Sequence, residues 1–565
     1  MRKCFVMLAV SVLLCSSAFG AVWYVDKDNL SGVENGQTWQ TAFTTIQPAI
    51  HAAASAGGGE VWVAEGVYDE QRVSLMHVPE QDTGSLMLAA EVRLYGGFVG
   101  FETARNERNA AAHETVIEGR AVHGRAPAKH VVVGADDALL DGFTITGGNA
   151  NGVGDAGNGA GLFNEGVSPT VKNCKFVGNW ASGWGGALFN TNQAAPTITQ
   201  CAFDQNWAHE GGAGAASADH AAPTITKCSF TGNTAVQKGG ALLNTSRSAA
   251  VVRESTFDAN TAEWGGAVCT FDNATPALID CTFTYNEANR GAALYTDSCP
   301  IKVTSCAFTY NAAGNNGGAA YNRGSAQSTF AACTFNRNEA WDNGGALYNT
   351  DMAAPLIVNC VFVANLAGRN GGALYNAFCT PRLTNCTIAY NNVERQTWHD
   401  QSGWAKAAGG ILNDEATPTI ANCIVWGNYP NAILSAQDET KPGAIIRYSD
   451  IQGGCLGEGN INLAPAFVNP LAGDYRLMKT SPCIDAGDAT AAPTTDLLDV
   501  QRPQGAAPDM GAYEYNATPL GQGLACYAGP ITPSAPSRHI GDLALLALAA
   551  ITVVASTRRF GRATA

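Results

Sequence analysis

From about residue 142 onward, hydrophobic and polar positions recur in a fixed order. An aromatic or aliphatic residue stands three places before an asparagine at Phe176/Asn179, Phe203/Asn206, Phe230/Asn233, Phe257/Asn260, Phe283/Asn286, Phe308/Asn311, Phe335/Asn338, Phe362/Asn365, Ile388/Asn391 and Val425/Asn428. Most steps are 25 to 27 residues. A cysteine precedes the apolar residue by two places at Cys174, Cys201, Cys228, Cys281, Cys306, Cys333, Cys360, Cys386 and Cys423, with Ser255 as the exception. After most of the asparagines comes Gly-Gly-Ala-aliphatic, as at 185–188, 239–242, 265–268, 344–347 and 371–374.

Each unit reads as short strands of four to six residues separated by Gly, Asn and Pro, residues that favour turns for steric reasons. No single unit can bury its apolar face alone. Stacking equivalent strands about 4.8 Å apart places each side chain on its counterpart in the next coil. Cysteine and phenylalanine share one parity and are expected to point inward, and the asparagines to bond along the axis at a turn, where buried backbone groups need partners. The predicted fold is all-β, a parallel β-helix of about ten regular coils, roughly 50 Å long on that spacing, with irregular capping coils. Leucine-rich repeats would need helical or leucine-spaced segments, and propeller blades would be longer.

Composition agrees with such an array. The 565 residues include 63 glycines and only 14% charged residues, with 46% hydrophobic, which suits many tight turns joining short strands. A net charge of −15 and no basic stripe argue against a nucleic-acid partner.

The paired Gly-Gly-Ala-[Ile/Leu/Val] and Phe-x-x-Asn motifs resemble those of the chlamydial polymorphic outer-membrane proteins and related bacterial β-helix proteins of the pectin-lyase-like superfamily, over about residues 142 to 428. The resemblance implies a right-handed solenoid and an exported protein. Those outer-membrane proteins end in a translocating barrel for which this sequence has no room, so self-translocation is not expected. Enzymatic use of the fold, on the same resemblance, means polysaccharide lyase or hydrolase chemistry.

The flanks complete the predicted division. Residues 1–20, with Arg2 and Lys3 ahead of an apolar stretch and small residues, have the form of a secretory signal peptide. Residues 21–141 are expected to form an N-terminal cap and irregular coils, since Trp23-Tyr24-Val25-Asp26 and the segment 45–53 resemble the strand and short capping helix that open many bacterial β-helix proteins. Regular repeats follow over 142–430. Residues 431–516 contain 481–487 and 508–515, which resemble the closing module of exported proteins with varied C-terminal anchors. A linker (517–540) leads to a hydrophobic and basic tail (541–565). Its uninterrupted apolar run of 13 residues is short against the ~20 of a spanning helix; the tail resembles a sorting or anchor segment, implying attachment at the cell surface or outer membrane.

Three groups of residues are candidates for chemistry. The ladder cysteines are expected to be packed thiols, while Cys299 and Cys379, each seven places before Cys306 and Cys386, are the disulfide candidates. The residue before each glycine pair forms a second ladder of Trp184, Glu210, Lys238, Trp264, Arg290, Asn316, Asn343 and Asn370, with an expected Glu210–Lys238 charge pair and cation–π contacts to Trp264. With Trp180, Trp207 and Trp341 from the same inter-strand turn, Trp184 and Trp264 would make an aromatic edge for sugar rings or a protein partner. Carboxylates are sparse. Asp204 and Asp258 share a register with Thr231 between them, and His209-Glu210 and His399-Asp400 are isolated pairs. Asp136-Asp137 and Asp485, Asp488, Asp496 and Asp499 could hold loop calcium, though Asp is a common turn residue; no other cofactor is expected. The leading functional expectation is a non-catalytic surface protein for adhesion, binding or envelope structure, with a polysaccharide or cell-surface protein as partner. The competing one is a polysaccharide-active enzyme using the solenoid surface or the lengthened coil between Asn391 and Ala408.

Overall fold

In the computed structural model the described residues are 21–69, 84–120, 127–325, 327–394, 407–436 and 443–516. The expected signal segment, the 517–540 linker, the 541–565 tail and the His399-Asp400 pair lie outside them.

One coil shows how the repeat becomes structure. Leu188–Thr191, Thr197–Thr199, Ala202–Asp204 and Trp207–Ala208 are successive strands, and each pairs in parallel with its equivalent one coil on, as in Phe203↔Phe230 and Ile198↔Ile225. The coils build four parallel sheets. We name them by their content: the glycine-entry sheet, 13 strands, which contains Leu188–Thr191; the aliphatic sheet, 15 strands, with Thr197–Thr199; the phenylalanine sheet, 14 strands, with Ala202–Asp204; and the short sheet, 10 strands, with Trp207–Ala208. The solenoid therefore extends beyond the ten regular coils, because less regular N-terminal strands such as Val92–Phe98 and Thr115–Glu118 join the same sheets. Helix α1, Ile46–Ser55, places Ile46, Ala49, Ile50 and Ala53 against the core near its N-terminal end.

Three inward ladders fill and satisfy the interior. Phe176, Phe203, Phe230, Phe257, Phe283, Phe308, Phe335 and Phe362 stack with ring centroids 4.5 to 5.0 Å apart and planes within 6°. The spacing is that of the backbone ladder, so dispersion contacts repeat at every coil. Each ladder asparagine is buried and works twice. Asn206 donates its main-chain N–H and its Nδ2 to Oδ1 of Asn233 at 3.1 and 3.0 Å, while that Nδ2 also donates to the carbonyl of Phe176 at 2.9 Å. The same pattern runs from Asn179 to Asn428. The cysteines turn the corner before the phenylalanine strand. Cys201 Sγ donates to the carbonyl of Thr199 at 3.3 Å, and its main-chain N–H points at Cys228 Sγ at 3.4 Å. Ser255 fits this ladder for a physical reason: its hydroxyl donates to Arg253 and accepts the N–H of Cys228 at 3.1 Å.

The glycine pair has two separate causes. Gly239 sits at φ +61, and a Cβ on Gly240 would lie 2.2 Å from the carbonyl of Gly266 in the next coil, so the first glycine supplies a left-handed turn and the second a close approach. This geometry corrects one register assignment. Trp184, Gly211, Lys238 and Trp264 are mutual partners across successive coils, and Gly212, at φ +61, stands where Gly185 and Gly239 stand in theirs. Gly211 therefore occupies the position expected for Glu210, because this coil reads Gly-Gly-Ala-Gly-Ala and its turn starts one residue later. Glu210 is exposed, and no Glu210–Lys238 ion pair is present among the described residues.

The C-terminal module differs from a lid over the last coil. The edge there is continued by the segment around Ile461, which exchanges main-chain hydrogen bonds with Ser449 and Ile451. Residues 465–516 lie instead along the outer side of the phenylalanine sheet, where Val361, Val363, Ala389 and Ile424 pack against Phe467, Tyr475, Leu477, Met510 and Ala512. The turn asparagines Asn359, Asn385 and Asn422 donate their side-chain amides to the carbonyls of Thr495, Asp509 and Asp488 at 2.8 to 2.9 Å. Inside the module, Arg502 and Glu514 form a 3.0 Å ion pair with both side chains 1% exposed. Burying such a pair is costly unless hydrogen bonds complete it; here Arg502 also donates to the carbonyls of Asp509 and Gly511. Among the described residues no helix is long and apolar enough to cross a membrane.

Candidate functional site

Most of the described cysteines are buried. All fourteen described cysteines are free thiols, and only Cys455 is exposed. The expected disulfides Cys299/Cys306 and Cys379/Cys386 do not form. Each pair straddles an aliphatic-sheet strand, Lys302–Thr304 or Arg382–Thr384, and seven residues of near-extended chain span roughly 20 Å against a Cα limit of about 7 Å. Cys379 packs instead with Ala353 and Ala416, whereas Cys386 belongs to the central core. Burial pushes the thiol of Cys299 up to about 11 and that of Cys379 up to about 12, which suppresses the nucleophilic thiolate.

The five tryptophans fall into three places rather than one edge. Trp180 and Trp207 are in-register partners on the short sheet, with rings 5.1 Å apart and 4° from parallel. Their in-register neighbours are Asn149 on one side and Thr234 on the other. These side chains are short, so the paired indoles stand as a two-ring slab above the surface, with Trp180 36% exposed. Trp184 and Trp264 lie next to the glycine turns and pack onto neighbouring rings, Trp184 on Phe189 and Trp264 on Tyr295, at 6.1 and 5.7 Å. Trp341 directly follows the short-sheet strand Glu339–Ala340, five coils beyond Trp207 and so about 24 Å away. It cannot share a small ligand with the slab.

A further aromatic series stands on the outer face of the glycine-entry sheet. Phe163 and Phe189 begin it, and Tyr295, Tyr321, Tyr348 and Tyr375 continue it with ring spacings of 4.8 to 5.3 Å. Its signal is in the sequence, as the residue after the leucine in Gly-Gly-Ala-Leu-Tyr-Asn, but the inward leucines beside it carry the same period and hide it. Where the series is interrupted by Leu243 and Cys269, Lys238 crosses the face and sets its ammonium 4.4 Å from the ring centre of Phe271 and 5.6 Å from that of Trp264. Of the expected cation–π contacts to Trp264, that of Lys238 is present, with Phe271 nearer, whereas Arg290 sets its guanidinium 5.9 Å from the ring centre of Tyr321.

The acids beside this series are engaged. Arg323 bridges Asp297 and Asp351 at 3.7 and 3.3 Å, and Tyr375 donates to Asp414 at 2.8 Å. Burial raises the phenols of Tyr295 and Tyr348 to about 12, so both stay protonated and uncharged at ordinary pH. Asp204 and Asp258 do flank Thr231 in one register, and Asp258 accepts a 2.6 Å hydrogen bond from Thr284. His209 and Glu210 are exposed, with His209 beside Trp207 at 6.0 Å. The loop acids go to backbone: Asp136 accepts from the N–H of Ser168, Asp485 from Ala507, and Asp496 from Leu498, Val500 and Glu514, while Asp488 accepts from Thr490. Among the described residues no group of three or more His, Cys, Asp or Glu side chains is placed to hold a metal ion.

The family described as "Right handed beta helix region" matches residues 104–257 and 185–362. The fold is a right-handed parallel β-helix. Among solved β-helix structures, this one is similar to pectate lyase Pel9A, with 12% identity, 88% of this chain and 96% of that chain covered and a TM-score of 0.28. It is similar also to the A-module of mannuronan C-5 epimerase AlgE6 from Azotobacter vinelandii, with 14% identity, 74% and 94% covered and a TM-score of 0.34. The tailspike protein of E. coli bacteriophage HK620 in complex with a pentasaccharide has 15% identity, 71% and 73% covered and a TM-score of 0.29. These are likenesses of β-helix architecture alone. No curated protein matches the chain.

Proposed function

We propose that this β-helix is a non-catalytic binding protein, exported through residues 1–20 and held at the cell surface through 541–565, whose contact surface for a polysaccharide is the Trp180/Trp207 slab. The observation that carries the reading is the pair of parallel indoles rising above Asn149 and Thr234. Flat aromatic faces with little side-chain entropy to lose are what sugar rings stack on. The rod beneath them is held by the Phe and Asn ladders, which tie the coils of Trp180 and Trp207 to each other and to the next coil, so the slab is preorganised. The non-catalytic nature of the reading is supported by the engagement of the glycine-entry acids in ion pairs and hydrogen bonds. No cofactor is needed for such binding.

A polysaccharide-cleaving reading rests on one observation, that Asp297 and Asp351 are brought to a single guanidinium on the outer face. Two carboxylates near a sugar ring are what a hydrolase needs. The test is a panel of acidic and neutral polysaccharides, with retardation in affinity gels and product release both measured. The binding reading expects retardation without new reducing ends or unsaturated products. Cleavage abolished by Asp297→Asn and Asp351→Asn would replace it with the enzyme reading.

A further inference from the structure

The residue just before each ladder cysteine sits in a left-handed turn: Asn173, Gln200, Lys227, Glu254, Asp280, Ser305, Ala332, Asn359, Asn385 and Asn422, with φ between +47° and +55°. This line of turns and the adjoining outward residues of the phenylalanine sheet form one continuous strip. Outward positions run in register from Lys175 through Ala202, Ser229 and Thr256 to Val361, Thr387 and Ile424. On the last coils the strip is already a polypeptide-binding surface. There Asn359, Asn385 and Asn422 hold main-chain carbonyls of the C-terminal module, and Thr387 Oγ1 accepts the N–H of Ala512 at 3.0 Å.

On the first coils the same strip is open. It forms a groove of about 740 Å³ whose far wall is the 108–111 loop, fixed by the 2.8 Å ion pair of Arg108 with Asp141. Small and polar side chains, Ala202, Ser229 and Thr256, make its floor, with Gln200 and Lys175 beside them. Gln200 and Lys175 are exposed and stand at the positions that Asn385 and Thr387 hold at the occupied end. Among the described residues no aromatic side chain lines the groove, which leaves a sugar ring nothing there to stack on, whereas a floor of small side chains lets an extended backbone approach closely.

We infer that this groove binds an extended polypeptide segment of a partner protein, read chiefly through its main chain by Gln200, Ser229 and Thr256, just as the turn asparagines of the later coils take main-chain carbonyls, there from three separate stretches of the C-terminal module. Such a segment lies along the axis and crosses one coil about every 4.8 Å, so four coils contact about six residues of strand. The mixed charge of Lys175, Lys227 and Glu254 favours a polar segment with an acidic residue near Lys175.

The experiment pans a random dodecapeptide phage library on the intact chain and counter-selects on Ser229→Trp, which fills the groove from an outward position. Ala202→Arg is the second blocking variant, and thermal melting shows that each is folded. The expected result is a set of peptides whose affinity falls at least tenfold on both variants and several-fold on Gln200→Ala. N-methylation of alternate backbone amides in those peptides should cost more than alanine replacement of their side chains. Three results would overturn the inference: no enrichment over the blocked variants, peptides that bind the variants as well as the parent, or polysaccharide binding that the blocking substitutions abolish while peptides are unaffected.

Discussion

Replacing Asn233 with alanine isolates the contribution of a single rung of the asparagine ladder. Its Oδ1 accepts the main-chain N–H and the Nδ2 of Asn206 at 3.1 and 3.0 Å, and its own Nδ2 donates to Phe203 O at 2.9 Å and Asn260 Oδ1 at 3.0 Å. Alanine leaves the buried N–H of Asn206 without its acceptor, at about 1–3 kcal/mol, and removes further hydrogen bonds worth about 0.5–1.5 kcal/mol each net. With three such bonds lost, the sum is about 2.5–7.5 kcal/mol. Coils in a solenoid contact only their neighbours, so the loss is local. Amide hydrogen exchange should show protection falling around residues 206, 233 and 260, with protection near 391 unchanged. The double variant Asn233→Ala, Asn260→Ala should lose less than the sum of the single effects, because the two side chains share one bond. Asn233→Ala within about 0.5 kcal/mol of the parent in urea unfolding, well under the cost of one unmet buried donor, would refute the ladder as a source of stability.

The cysteine corner predicts that Cys228→Ser is tolerated within about 1 kcal/mol, since Ser255 fills the equivalent corner of the next coil, while Cys228→Ala costs about 1–2 kcal/mol by orphaning the N–H of Cys201; urea midpoints compare them. Iodoacetamide labelling of the native chain, mapped by mass spectrometry, should modify Cys455 promptly and the other thirteen described thiols only after denaturation. Asp450 is buried under the C-terminal module, accepts from Leu463 and from the thiol of Cys483, and has its carboxyl raised by burial to about 6. A raised carboxyl favours folding while protonated, so this contribution is complete below the ordinary value of about 4 and is lost as pH rises through about 6. Asp450→Asn should therefore match the parent near pH 4 and be the more stable of the two above pH 7; a difference independent of pH would contradict the assignment.

The repeat makes the solenoid legible because each ladder needs one residue type at one position in every coil. Parity places Cys174 and Phe176 inside, and the recurrence of an asparagine at one turn position places Asn179 there. What a local pattern does not carry is information held between coils or between distant segments. Glu210 falls one position out of register because Gly-Gly-Ala-Gly-Ala offers two ways to align a glycine pair, and the φ of Gly212 decides between them. Trp341 resembles a partner of Trp180 because both follow a ladder asparagine closely, yet the coil count separates them. The outer Tyr295 to Tyr375 series has the same period as the inward leucines and is masked by them. The C-terminal module's place along the side rests on contacts across more than 120 residues, such as Asn385 with Asp509, and no local pattern encodes these.

In the proposed function the Trp180/Trp207 slab is a sugar-binding surface on a non-catalytic rod. Its most direct test is a glycan array probed with the parent chain and with the Trp180→Ala, Trp207→Ala double variant, after both are shown to melt alike. Saturable binding to a glycan class, weakened at least tenfold in the double variant and accompanied by no change in the glycan itself, is the predicted result. Equal binding by the two proteins would contradict the account, as would no glycan binding by the parent.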